Sequence, residues 1–465
     1  MKKNYFLGLM IGCVLVCLAA PSYAAMTDVE IEKKLEELSS TIKKQQEEIN
    51  RLKQELENQK TKNANVKLDT EVTTEQEEES LETDKNKGME KWRDYFPEWV
   101  KSIQISGDLR LRYEGRFNRE RMQTDESIED LPDRHLYRLR ARLFFDGQIA
   151  DGLSAHFMLC TNQDEHLEAT TTNQSFNDDF RAKGIYLHRA YATYKPSWLT
   201  GFELTAGKFK NTFLHTDIIW DPDVNPEGIY EKYSHTFWTC FTPFIHFGQM
   251  VLNEENLETD DAALNIYQTG FIWKIGPVKW TLAGSYYNWA NLQSSEFLHN
   301  SSYKGGGGNT FILDEDGILQ YRYDYELWQG ITFISFNLWN IPATIIFDYV
   351  INMADDVPKN DDSAYFIGLK LGRQEAKGDW LIFYKYAHIE KNAVIGSLND
   401  QDFYGANREG HKFTFNYMIF KRLTLGASYF HTKPENKWDI NSSTFDKNKD
   451  RQREDRLQGD IILKF

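Results

Sequence analysis

IQISGDLRLRYEGR, residues Ile103 to Arg116, has two faces that differ in kind. In an extended chain Ile103, Ile105, Leu109, Leu111 and Tyr113 fall on one side, and Gln104, Ser106, Asp108, Arg110, Arg112, Glu114 and Arg116 on the other. The next periodic stretch repeats the theme: Tyr137, Leu139, Ala141, Leu143, Phe145 and Ile149 alternate with Arg138, Arg140, Arg142, Asp146 and Gln148. Three successive arginines on one face do not suit a packed core, because a buried unpaired charge is strongly disfavoured. A wet interior removes the objection. Strands that turn apolar residues outward and charges inward build a transmembrane β-barrel; a soluble antiparallel sheet with one solvated face is the alternative these two strands leave open.

The connections decide between them. Period-two segments recur near 103–116, 135–149, 153–161, 184–195, 202–209, 228–240, 242–251, 262–275, 277–289, 325–338, 341–353, 362–373, 378–390, 409–420, 422–432 and 453–465, which makes sixteen. Short links near 150–152, 276–277, 340, 376–379 and 420–421 alternate with long ones near 117–134, 162–183, 210–227, 290–324, 391–408 and 433–452. Short turns at one end and long loops at the other are the habit of bacterial outer-membrane barrels. The expected fold is all-β, a transmembrane antiparallel barrel of about 16 strands. Aromatic residues, 14% of the chain, supply two interfacial girdles. The segment 325–338 is apolar on both faces.

Ahead of the barrel the chain changes character three times. Residues 1–24 read as a secretory signal peptide: Lys2 and Lys3, an apolar run from Phe6 to Ala20, then Ser22-Tyr23-Ala24 as a cleavage site. Without the signal only Cys160 and Cys240 remain, too few for a disulfide framework. Residues 25–59 carry a period of 3.5, with Ile31, Leu35, Leu38, Ile42, Ile49, Leu52 and Leu56 forming a seam that Gln45 completes. That pattern predicts a short α-helical coiled coil, about 40 Å long at 1.5 Å per residue. Residues 60–101 read as an acidic linker ending in an aromatic cluster, Trp92, Tyr95, Phe96 and Trp99, suited to a membrane interface. Residues 102–465 are the barrel.

Charge and motifs exclude several chemistries. A net charge of −16 with no basic domain argues against nucleic acid as a partner. Asp221-x-Asp223-x-Asn225 opens like a calcium loop, but Pro226 and Lys232 stand where the turn glycine and the bidentate glutamate belong. Gly305 to Gly308 lacks the Lys-Ser/Thr of a phosphate loop, and the 11 histidines make no HExxH motif. No catalytic residue, metal or cofactor is expected. Phe465 closes the last strand as an aromatic carboxy terminus, which resembles the signal outer-membrane proteins present to their assembly machinery and implies a Gram-negative outer membrane.

Arg189-Ala190-Tyr191, Gly207-Lys208-Phe209-Lys210-Asn211 and the run from Trp220 to Gly228, WDPDVNPEG, together with the arginine-rich second strand, carry a family resemblance. Over about residues 100 to 465 the chain resembles the uncharacterised "putative porins" of Gram-negative bacteria, several of which carry an N-terminal coiled coil. The resemblance implies a barrel and a channel role without naming a solute. By analogy with general porins, the third outer loop, with Asp217, Asp221, Asp223 and Glu227, would fold into the lumen as a constriction. Facing it would stand a basic ladder of Arg110, Arg112, Arg138, Arg140, Arg142 and Arg189. In the alternative, these arginines pair with inward carboxylates such as Asp108, Glu114 and Asp146 to brace the wall. The whole reads as a homotrimeric water-filled channel in outer-membrane lipid, passing small hydrophilic solutes by passive diffusion. The rival is a structural protein whose periplasmic coiled coil tethers the membrane to the cell wall.

Overall fold

The computed structural model describes residues 97–122, 128–163, 168–177, 179–253, 261–292, 306–313, 319–403, 405–435 and 453–465. The expected signal peptide, the coiled-coil seam from Ile31 to Leu56, and the linker up to Phe96 lie outside the described residues. Of the aromatic cluster, Trp99 sits on a four-residue helix, Glu98–Lys101, and is 47% exposed.

Sixteen long strands follow, and every sequence-derived segment is one of them. They are β1 (Gln104–Phe117), β2 (Arg134–Ala150), β3 (Leu153–Cys160), β4 (Tyr186–Tyr194), β5 (Phe202–Lys208), β6 (Glu227–Ser234), β7 (Phe241–Val251) and β8 (Ala263–Ile275). The second half comprises β9 (Val278–Ala290), β10 (Tyr325–Leu338), β11 (Ile341–Asn352), β12 (Ser363–Gly372), β13 (Trp380–Ile389), β14 (Arg408–Phe420), β15 (Leu423–Pro434) and β16 (Glu454–Lys464). Each pairs antiparallel with the next, and β16 returns to β1 through Asp108↔Lys464 to Phe117↔Asp455, so the sheet closes. Phe465 completes the seam: its N–H donates to the Gly107 carbonyl and its backbone oxygen accepts from the Gly107 N–H, both at 3.0 Å. Closure leaves no free edge, the condition for β-structure in a lipid bilayer.

Period two sorts the faces as the sequence requires. Ile105, Leu109, Leu111, Phe157, Phe347, Ile367, Ile461 and Leu463 point outward and stay 38–63% exposed, a surface suited to lipid. Asp108, Arg112, Glu114, Arg138 and Arg140 point inward and are buried. Where β2 runs on past the end of β3, the two residues Gln174 and Ser175 pair with Leu139 and Arg138 and so return the second outer loop to the wall. The tight turn Asp151-Gly152 between β2 and β3 needs a positive φ at Gly152, 69°, which glycine supplies without strain. β6 stops at Ser234, earlier than the expected 240, because Phe237 bridges Phe241 and a turn fills the interval.

The interior is not polar all round. The third outer loop (209–226), part of the fifth (306–313) and the described residues of the seventh (390–403 and 405–407) turn into the barrel and pack with β6 to β13. Phe213, Ile218, Trp220, Tyr287, Leu327, Val350, Phe366, Val394, Leu398 and Phe403 belong to one buried apolar cluster there. The wet interior expected from β1 and β2 is thus confined to part of the barrel. The packing also explains the two apolar faces of β10: its inward Tyr325, Leu327 and Ile331 meet loops instead of water, while Trp328 faces lipid.

Candidate functional site

The third outer loop crosses the lumen because the far wall holds it at successive points. The Leu214 N–H donates to Gln268 Oε1 at 2.9 Å, and Gln268 Nε2 donates back to the Leu214 carbonyl at 2.8 Å. The Thr216 N–H and hydroxyl both donate to Asp348 Oδ2, at 3.2 and 2.7 Å, and Gln329 Nε2 donates to both oxygens of the same carboxylate. Lys385 Nζ donates to Asp217 Oδ2 at 2.8 Å and to Asp400 Oδ2 at 2.9 Å, so one lysine, 1% exposed, ties the third loop to the seventh. Backbone bonds from Asp221 N to the Leu398 carbonyl (2.8 Å) and from Asp400 N to the Asp217 carbonyl (3.0 Å) add to this join. Buried polar groups with such partners rigidify a loop that solvent would otherwise compete for.

The loops stop short of the wall formed by β16, β1 and β2. A cavity of about 820 Å³ remains there. Its strand side carries Arg110, Arg112, Arg138, Arg140 and Arg456; its loop side carries Asp217, Asp221, Asp223, Asp400 and Asp402. The two sets touch at the edges: Arg456 Nη1 reaches Asp402 Oδ1 at 2.5 Å, Arg112 Nη1 reaches Asp402 Oδ2 at 3.3 Å, and Arg142 Nη1 lies 3.6 Å from Asp223 Oδ1.

Most of the ladder is also braced. Arg140 donates twice to Asp108 Oδ1, at 3.0 and 2.8 Å, and Arg142 donates to Asp108 Oδ2 at 2.7 Å. Arg112 is bidentate to Asp460, at 2.7 and 2.8 Å, and Arg138 meets Glu114 at 3.3 Å. Asp146 takes no part; it pairs with His156. Arg142, Arg189 and Glu227 do not line the cavity: Arg142 is turned to Asp108 and Asp223, Arg189 Nε holds Asn225 Oδ1 at 2.6 Å, fixing the returning arm of the third loop, and Glu227 begins β6 paired with Lys208.

The loop acids differ in charge state. Burial, reinforced by Asp223 and Asp400 close by, pushes the Asp221 carboxyl well above the ordinary carboxylate range. Burial works the same way on Asp400, but Lys385 and Lys412 outweigh it and hold that carboxyl low. Asp402 is likewise held low, burial being overcome by Arg456 and Arg112. The three carboxyls thus titrate in opposite directions: Asp221 keeps its proton to higher pH than an ordinary aspartate, while Asp400 and Asp402 give theirs up more readily.

Lys385, Asp348, Asp400, Asp402, Lys412 and Arg456 are absent from the candidate site residues that the sequence singles out. Lys385 and Asp348 each stand between apolar inward neighbours, Phe383 and Ala387 for Lys385, Ile346 and Val350 for Asp348, and that is the available signal.

A closed sixteen-stranded antiparallel barrel with a lipid-suited exterior and a charged, loop-narrowed interior defines a transmembrane channel of the outer-membrane kind. A family model described as "Putative porin" matches residues 125–307, and the Arg189, Gly207 and Trp220 motifs all fall inside that stretch. No curated protein matches the sequence. Among solved structures, OprB of Pseudomonas putida at high pH is similar at 11% identity, covering 79% of this chain and 95% of its own, with a TM-score of 0.48. OmpF of Salmonella typhi in complex with daunomycin is 10% identical over 78% of this chain and 97% of its own, TM-score 0.44. OmpT of Vibrio cholerae lacking loop L8 is 11% identical over 78% and 99%, TM-score 0.43.

Proposed function

We propose that the chain is an outer-membrane porin, a water-filled channel for passive diffusion of small hydrophilic solutes, working as a homotrimer in the Gram-negative outer membrane. The observation that carries this reading is the charged cavity left between the β16–β1–β2 wall and the inserted loops, inside a barrel whose sixteen strands suffice for an aqueous channel. Guanidinium groups on one side and carboxylates on the other set a field across the passage. Polar solutes pass oriented in it, and apolar ones meet ordered water. The match to a porin family supports transport over catalysis.

Liposome swelling tests the reading. Vesicles carrying the refolded mature protein should swell in isotonic arabinose and glucose and swell more slowly in sucrose and larger sugars. Heat-modifiable, folded protein that admits none of them would refute it.

A further inference from the structure

Arg110 differs from its neighbours on the basic wall. Arg112, Arg138, Arg140 and Arg142 each contact a carboxylate. Among the described residues Arg110 has no carboxylate within 4.0 Å. Its guanidinium makes one hydrogen bond, from Nη2 to Asn173 Oδ1 at 2.6 Å, and its Nε meets no acceptor. Like charges surround it: Arg140 stands directly across the β1–β2 ladder and Arg112 two residues along. A buried donor without a partner is costly, and the repulsion adds to it.

The partner of Arg110 is itself part of a donor arrangement. Asn173 Oδ1 accepts from the guanidinium, which fixes the amide, since the flipped amide would set donor against donor. Its Nδ2 and backbone N–H then donate to Thr171 Oγ1 at 3.2 and 3.1 Å. With both lone pairs engaged, the Thr171 hydroxyl keeps its own proton for a further acceptor. Arg110, Thr171 and Asn173 all line the cavity. The pairing of Gln174 and Ser175 with β2 holds this segment against the arginine wall.

We propose that Arg110, with the Thr171 hydroxyl beside it and the Asn173 amide behind, is a binding subsite for the oxyanion group, carboxylate or phosphate, of a permeating solute. A guanidinium fork matches the paired oxygens of such groups and gains strength from their charge. The neighbouring arginines are compensated by Asp108, Glu114 and Asp460, so the uncompensated charge is concentrated at one point in the passage. The subsite rests on the channel reading.

The test is the concentration dependence of current through the purified full chain in a planar bilayer, with inorganic phosphate and acetate as the probes. Phosphate current should saturate in the millimolar range, and phosphate should reduce the chloride current in mixed solutions. Arg110→Gln should raise the half-saturating concentration at least tenfold, and Thr171→Val should raise it severalfold. Removing Arg110 strips no carboxylate of its partner, and heat-modifiable mobility checks that the variant folds. Current proportional to phosphate up to molar concentration, or unchanged saturation in both variants, overturns the subsite. A folded protein that passes no current defeats the channel reading instead, and phosphorus-31 line broadening of inorganic phosphate by the detergent-solubilised protein then decides the subsite. Broadening abolished by Arg110→Gln supports it; no broadening overturns it.

Discussion

Lys385→Met removes the ammonium that joins the third and seventh outer loops. Nζ lies 2.8 Å from Asp217 Oδ2 and 2.9 Å from Asp400 Oδ2, and the side chain is 1% exposed. Deleting one partner of a buried ion pair costs about 3–5 kcal/mol, because the remaining carboxylates lose their counter-charge in a site that excludes water. Lys412 remains 3.4 Å from Asp400 and 4.0 Å from Asp217 and compensates in part, so the lower end, about 3 kcal/mol, is expected. At 1.4 kcal/mol per factor of ten, that is a shift of about 100-fold toward undocked loops. The barrel wall, held by its own ladder, should stay closed. Single-channel recording should show larger and noisier conductance, and hydrogen exchange should speed up in residues 391–401, which are buried throughout in the docked state. Lys385→Met combined with Asp400→Asn should recover part of the protection, since replacing both members of such a pair is far milder than removing one. Wild-type noise and wild-type exchange in the single variant would refute the claim that this lysine holds the loops in place.

Four further outcomes can be measured. The folded-state pKa of Asp221 is raised, so its contribution is present at low pH and lost as pH rises through that pKa; those of Asp400 and Asp402 are depressed, so theirs is lost as pH falls below the usual carboxylate range of about 4. Loop docking should thus weaken both as pH falls below the usual carboxylate range and as it rises through the Asp221 pKa, and Asp221→Asn should abolish the loosening on the high-pH side in a pH series of channel noise. Arg140→Glu sets a like charge against Asp108, from which Arg140 now lies 2.8 Å, and should move the reversal potential in a salt gradient toward cations and lower the unfolding midpoint; lost stability with unchanged selectivity would favour bracing alone. Gly107→Val places a Cβ about 2.6 Å from the Phe465 ring and 2.5 Å from the Arg142 carbonyl, so overpacking of about 1–3 kcal/mol should slow closure, read as less heat-modifiable species after refolding. Deleting residues 26–88 should leave conduction intact if the barrel is a pore; loss of envelope integrity with that deletion would speak for the coiled coil as a cell-wall tether.

The barrel was legible because its signal is local. Alternation across β1 and β2, the spacing of turns and the closing Phe465 fixed sixteen strands within a few residues, and the ends that shifted, such as β6, are where side chains make a turn of their own. The acidic third loop and the arginines of β1 and β2 were also legible, since each is a concentrated run of one charge. What escaped was non-local. No periodicity says that the seventh loop enters the lumen or that Lys385 meets Asp217, 168 positions away. Hints existed in the apolar run Ala393-Val394-Ile395 within a loop and in the doubly apolar β10, both of which need a dry partner that lipid alone does not supply. Arg189 and Glu227 shared the charge pattern of the site, yet the first secures a loop arm and the second pairs with Lys208 away from the cavity.

Single-channel conductance of the purified mature protein in a planar bilayer, under a salt gradient, tests the porin claim most directly. Discrete ohmic steps, arriving in groups of three, with a reversal potential that moves when Arg140 or Asp400 is neutralised, are the predicted result. A folded, heat-modifiable barrel that inserts and shows no steps would mean that the inserted loops seal the lumen, and the account of a diffusion channel would fall.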